Sequence, residues 1–162
     1  MLVHSLLRRQ DATVAAAESL TGGLVAAALT AVPGSSATFR GGVVAYAPDL
    51  KAGLLGVDPA LLSRRGAVAP DVARAMALGV RERLSATYGV ATTGVAGPES
   101  QDGQSVGTVH LAVSGPGGVA VASLHLPGDR RAVREACVTG ALDLLARRLS
   151  GDPPADEGQE EG

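Results

Sequence analysis

Residues 12–32, ATVAAAESLTGGLVAAALTAV, restrict the fold more than any other stretch of the chain. ATVAAAES is an apolar run of strand length, and SLTGG is a turn of hydroxyl residues and glycine. GLVAAALTAV is an apolar segment long enough for a helix, and Pro33 and Gly34 stop it. Thr21 stands where a helix cap is needed. A buried strand running straight into an apolar helix is the unit from which layered α/β domains are built.

The rest of the chain repeats this grammar. Leu2, Val3, Leu6 and Leu7 recur at helical spacing before the charged RRQD. GGVVAYA reads as a strand by its β-branched residues, and PDLKAGLLG begins a short helix with Pro48 in its first turn. DPALLSRRG is a second short helical piece. The long helix APDVARAMALGVRERLSATYG keeps Val72, Ala75, Met76, Gly79, Val80 and Leu84 on one stripe. VATTGVAGP predicts a buried strand running into a glycine-rich turn, and ESQDGQS an exposed loop. VGTVHLAVSGPGGVAVASLHLPG predicts two strands joined by a GPGG hairpin turn. A last helix is expected from about Asp129 to Leu149, with Val133, Cys137, Ala141, Leu144 and Leu145 inward. The pattern predicts one three-layer α/β/α domain over residues 1–150, with a mixed sheet that includes a late antiparallel strand pair. A disordered acidic tail is expected over residues 151–162, GDPPADEGQEEG.

Composition narrows the function classes. The chain is 46% hydrophobic but only 2% aromatic, so the stacking platforms of single-strand nucleic-acid binders are missing. Asp152, Asp156, Glu157, Glu160 and Glu161 lie in the last eleven residues, which leaves fourteen bases against eleven acids before them. An excess of three is too small and scattered for a nucleic-acid surface, but it does not repel an anionic small molecule. No direct nucleic-acid partner and no membrane partner are expected. The single cysteine, Cys137, allows no internal disulfide, and no apolar run approaches the roughly 20 residues of a membrane span. These features predict a cytoplasmic protein, and a homodimer is the expected assembly.

Three stretches hold more glycine and hydroxyl residues than turns need: ESLTGG (18–23), PGSS (33–36) and TTGVAGP (92–98). Turns leaving strand ends converge on one sheet edge, where ligands bind. SLTGG reads either as an ordinary turn or as an amide cradle for a phosphate. No histidine is placed for a catalytic triad, none pairs with another at metal-ligand spacing, and Cys137 sits on an apolar helix face. Thirteen of the fourteen basic residues are arginine, and the exception is Lys51. It reads in two ways: as a solvated helix residue, or as the base of a hydrolase that activates serine with lysine. Arginine cannot fill the second role because it does not deprotonate.

AESLTGG, PGSSATFRGGVVAYAPDLKAGLLGV, GAVAPDVARAMA, TTGVAGP, VGTV and PGDRRAVR occur in one order that resembles the CinA C-terminal domain family over about residues 3–149. The chain looks like a stand-alone version of a module that follows a molybdopterin-binding-like domain in longer proteins. Enzymatically active members are nicotinamide-nucleotide amidases, which convert nicotinamide mononucleotide and water to nicotinate mononucleotide and ammonia in pyridine nucleotide salvage. The resemblance implies a Ser36–Lys51 dyad, with Tyr46 beside it and Thr93 with Gly94 relaying a proton or holding the oxyanion. Arg130 would meet the substrate phosphate, while Glu18, Ser19, Thr21, Gly22, Gly23 and Gly97 would line the pocket. No metal or other cofactor is implied. The chain departs from many relatives at Leu20, where they carry cysteine, and at ESQDGQS, where they carry Gly-Gly followed by Lys-Pro. A non-catalytic nucleotide-binding or regulatory module tied to competence or DNA damage is the rival reading, and a DNA-processing partner is a second.

Overall fold

The computed structural model describes residues 1–151, and the part of the expected acidic tail beyond Gly151 lies outside the described residues. In chain order the elements are α1 (Leu2–Arg9), β1 (Val14–Glu18), α2 (Leu24–Thr30), a 3-10 turn (Ser35–Ala37), β2 (Phe39–Val44), α3 (Pro48–Leu55) and α4 (Pro59–Arg65). They continue with α5 (Pro70–Arg83), β3 (Tyr88–Gly94), β4 (Thr108–Gly115), β5 (Gly118–His125) and α6 (Arg130–Leu149). The strands form one mixed sheet in the order β2-β1-β3-β4-β5. β1 is parallel to both β2 and β3, and the β3–β4 and β4–β5 pairs are antiparallel. The expected three-layer α/β/α domain with a late antiparallel pair is the architecture found.

Alternation along the strands sorts the side chains into two cores. Val14 and Ala16 of β1, Val90 of β3 and Leu111 of β4 meet Val3, Leu7, Leu29, Val133, Cys137 and Leu145 from α1, α2 and α6. Ala15, Ala17, Ala91 and Ala112 face the other way, toward Leu55, Val72, Met76 and Val80 of α3 and α5. Both faces of β1 and β3 are therefore covered, which is why these strands are apolar throughout rather than alternating. α5 is shorter than expected. It ends at Arg83, and Ser85 takes a positive φ of 52°, which no continuing helix allows.

His4 is structural, fully buried, with Nε2 donating to the Leu29 carbonyl at 2.8 Å and Nδ1 bonded to Thr38 Oγ1 at 2.6 Å. Burial lowers its pKa below the ordinary value of 6.5. These bonds fasten α1 to the end of α2 and to the entry of β2.

The site-bearing helix α3 is held by close approach. A Cβ built on Gly79 of α5 would overlap the Leu55 carbonyl oxygen at the C-terminal end of α3. Only glycine lets the helices meet there. Gly79→Ala should cost about 2 kcal/mol or more despite the better helix propensity of alanine, because backbone rather than a flexible side chain must move. Urea denaturation measures it, and a neutral or stabilising result would show that α3 does not rest on α5 in this way.

Candidate active site

Strand order places the site. The chain passes from β1 to β2 on one side and later to β3 on the other, with α2 on one face of the sheet and α3, α4 and α5 on the opposite face. The C-terminal end of β1 is thus the point where connections diverge, and open α/β sheets bind ligands at such points. Ser19 is the first residue beyond β1. It lines a cleft of about 110 Å³ together with Leu20, Tyr46, Glu99, Gln101, Arg130 and the segment Gly94–Gly97.

Behind Ser19 lies Lys51, 1% exposed and the largest fully buried side chain among the described residues. Its Nζ donates to Ser19 Oγ at 2.9 Å, to the Ala45 carbonyl at 2.8 Å and to the Tyr46 carbonyl at 3.3 Å. Burial of the ammonium pushes its pKa down from 10.5 to about 8, against a smaller upward pull from the Asp102 carboxylate. The serine hydroxyl therefore stands between an open cleft and an amine that loses its proton near pH 8. This is the arrangement that nucleophilic catalysis by a serine–lysine pair needs.

Ser36 is corrected as the partner of Lys51. It lies in the 3-10 turn before β2, whereas Lys51 follows the end of β2, and the two are separated by the strand's length, six residues or about 20 Å. In register, the start of β2 at Phe39 pairs with Val14, at the opposite end of β1 from Ser19. Ser36 is exposed beside the start of β2, and its hydroxyl makes no hydrogen bond among the described residues.

Four more expectations are revised. Glu18 is buried, and its carboxylate accepts from the amides of Val25 and Ala26 at 2.7 and 3.1 Å. The amides at the start of α2 are thus filled by the chain's own anion, so SLTGG is not an empty phosphate cradle. Thr21 does not cap α2, whose cap is Gly23; its hydroxyl pairs with that of Thr92 at 2.8 Å. Gly22 and Gly23 shape the turn with positive φ angles of 57° and 106° and stand behind the cleft rather than in its wall. Thr93 points to the opposite sheet face from Thr92, donates to the Ala67 carbonyl at 2.8 Å, and is not in the cleft wall.

Tyr46, Gly94, Gly97 and Arg130 line the cleft. Arg130 Nη1 donates to the Gly97 carbonyl at 2.6 Å and Nη2 to Tyr46 Oη at 3.1 Å, which joins the two walls. One helical turn on, Arg134 donates from Nε to the Leu20 carbonyl at 2.9 Å and holds the backbone just past Ser19. The amides of Leu20, Ala96 and Gly97 border the cleft and have no hydrogen-bond partner among the described residues. They are the available donors for an oxyanion. Arg134, Ala96 and Asp102 were not visible as site residues in the sequence; the one signal for Arg134 was its spacing from Arg130 on the α6 face. Cys137 plays no part in nucleophilic chemistry: burial, reinforced by the Glu18 carboxylate, pushes its thiol up to about 12.

The CinA C-terminal domain profile matches residues 1–149. The chain belongs to the CinA C-terminal domain family. A CinA-like protein of Frankia casuarinae is 54% identical over 155 residues, which cover 96% of this chain and 36% of that protein. The chain thus spans about a third of that relative's length. Among solved structures, a competence-damaged protein (CinA) superfamily protein from Klebsiella pneumoniae superposes with a TM-score of 0.89 at 31% identity, covering 92% of this chain and 94% of the other. The competence/damage inducible protein CihA from Agrobacterium tumefaciens gives a TM-score of 0.83 at 38% identity, covering 93% and 96%. Among the described residues no helix is long and apolar enough to cross a membrane.

Lys51 carries a stability signature. Its pKa is lower folded than unfolded, so between about 8 and 10.5 the unfolded chain binds the extra proton and stability rises with pH. The gain is lost again as pH falls through about 8, and its full size is about 3 kcal/mol. Lys51→Met should flatten the wild-type rise between pH 8 and 10 in urea titrations; an unchanged slope would mean that the ammonium is not buried.

Proposed function

We propose that this CinA-family chain is an amidohydrolase that converts nicotinamide mononucleotide and water to nicotinate mononucleotide and ammonia, with Ser19 as nucleophile and Lys51 as base. The observation that carries this reading is the 2.9 Å contact between a cleft-lining serine and a buried lysine whose pKa is lowered to about 8.

Neutral Lys51 accepts the Ser19 proton along the line of that contact, and Ser19 Oγ forms a bond to the carboxamide carbon. The developing oxyanion meets amides from Leu20, Ala96 or Gly97. As the tetrahedral intermediate collapses, the bond from carbon to nitrogen breaks, and the Lys51 ammonium returns the proton to the leaving group, which departs as ammonia. Water, deprotonated by Lys51, then attacks the acyl-enzyme, releasing the carboxylate and restoring Ser19. A pyridinium ring assists by withdrawing electrons from the amide carbon.

The cleft of about 110 Å³ is smaller than the roughly 150 Å³ cavity that holds benzene, so it would take the carboxamide and the adjoining edge of the ring and leave the rest of the nucleotide outside. The ribose and phosphate would lie across the rim, where the exposed Arg130 guanidinium supplies positive charge. A cytoplasmic setting fits the single buried cysteine and a nucleotide substrate.

Ammonia release by the metal-free protein tests the reading. Ser19→Ala and Lys51→Ala should each lower kcat by roughly a thousandfold or more, while Ser36→Ala should stay close to wild type. The rate should rise with pH along a limb centred near 8, because the neutral amine is the active form. Loss of activity in Ser36→Ala alone would return the nucleophile to that residue. Nucleotide binding without ammonia release would leave a regulatory binding module.

A further inference from the structure

The segment Pro98–Val106 forms the outer rim of the cleft, contributing Glu99 and Gln101 to its wall, and its tip is fastened to the chain before α5. Gln101 and Gln104 exchange backbone hydrogen bonds at 3.1 and 2.8 Å, closing a two-residue hairpin over Asp102 and Gly103. Both turn residues have positive φ, 52° and 74°, as the primed hairpin turn requires. From the tip of this hairpin, Asp102 Oδ2 accepts the Ala67 amide hydrogen at 3.1 Å. The Ala67 carbonyl in turn accepts from Thr93 of β3. Gly66 leaves the room: a Cβ there would come within 3.0 Å of the Asp102 side chain. The rim is thus pinned, through one residue, Ala67, to the central sheet.

We propose that Asp102 is a positioning residue for the Ser19–Lys51 pair: it pins the rim hairpin to Ala67, and that bond holds its carboxylate where its charge acts on Lys51. The inference rests on the catalytic reading of that pair given above.

Asp102 is the carboxylate whose field acts on Lys51. The other charged groups around the site are engaged elsewhere or stand in the cleft wall. Glu18 of β1 bonds the α2 amides on the opposite sheet face. Arg65 of α4 pairs with Asp71 of α5 at 3.8 Å. Arg130 of α6 bonds Gly97 and Tyr46, and Glu99 lies in the cleft wall. An anion at Asp102 keeps the lysine basic enough to take the serine proton, while burial keeps it from holding that proton permanently.

Lys51 is the only lysine, so protein labelled with carbon-13 at the lysine ε-position gives one resonance whose titration reports this amine alone. Asp102→Asn keeps an oxygen for the Ala67 amide but removes the charge; Asp102→Ala removes both. Both variants should lower the lysine midpoint by roughly half a unit or more, the scale left to a neighbouring charge partly in water. Asp102→Asn should move the rising limb of ammonia release to lower pH by the same amount with KM within about twofold, and Asp102→Ala should also raise KM severalfold. A lysine midpoint unchanged in both variants overturns the electrostatic role, and an unchanged KM in Asp102→Ala overturns the pinning role. If the midpoint moves and the rate profile does not follow, the role of Asp102 stands and the catalytic reading of Lys51 fails.

Discussion

The Lys51 ammonium ties α3 to the paired C-terminal ends of β1 and β2, which the sheet itself joins only to each other. Its donors reach Ser19 at the end of β1 and the carbonyls of Ala45 and Tyr46 at the end of β2, while its own backbone belongs to α3. Three acceptors satisfy three donors, so no polar group in that interior is left without a partner on the lysine side. Burial still disfavours the charged form, and the amine lies closer to its neutral state than a solvated lysine does. The structure tolerates a cost of about 3 kcal/mol at neutral pH to hold an amine, rather than an arginine, against that serine.

Close approach of small residues makes this burial possible. β1 is Val-Ala-Ala-Ala-Glu, every residue of it buried, and Ala15 and Ala17 let α3 and α5 pack near the sheet. Gly79 brings the end of α3 against α5, and Gly89 brings α5 against β3, where a Cβ would overlap the Ala77 carbonyl. A layer built from alanine, valine and glycine leaves little room for aromatic rings, which accounts for the low aromatic content without any functional reading. It also brings α3 within reach of a lysine side chain across to β1.

The fold was legible because each element announced itself locally. Pro48, Pro59 and Pro70 each open a helix, Asp129 caps α6 through the Ala132 amide, and the buried runs of β1 and β3 lack the alternation of a half-exposed strand. The singularity of Lys51 was legible for a chemical reason, since arginine does not deprotonate. The identity of its partner was not. The strand between Ser36 and Lys51 was legible as GGVVAYA, but a spacing of fifteen residues does not say that the two stand at its opposite ends. Glu18 shows the same limit: a glycine-rich turn before a helix reads as an anion site, and only packing shows that a carboxylate from the preceding strand already occupies it. Asp102 was invisible because its effect depends on a contact across 35 residues, made by a loop whose sequence signals only a turn.

The division of cations in the site follows from their chemistry. Arg130 and Arg134 stand one turn apart on α6, and each binds backbone carbonyl or hydroxyl oxygen: Gly97 and Tyr46 in one case, Leu20 and Thr21 in the other. A planar guanidinium that stays charged at every accessible pH is suited to bracing, because its donors never disappear. The position behind Ser19 has the opposite requirement. A group there must donate when protonated and accept when neutral, and it must pass between the two states during one turnover. A chain that answers every other need for positive charge with arginine has reason to keep a lysine at that one place.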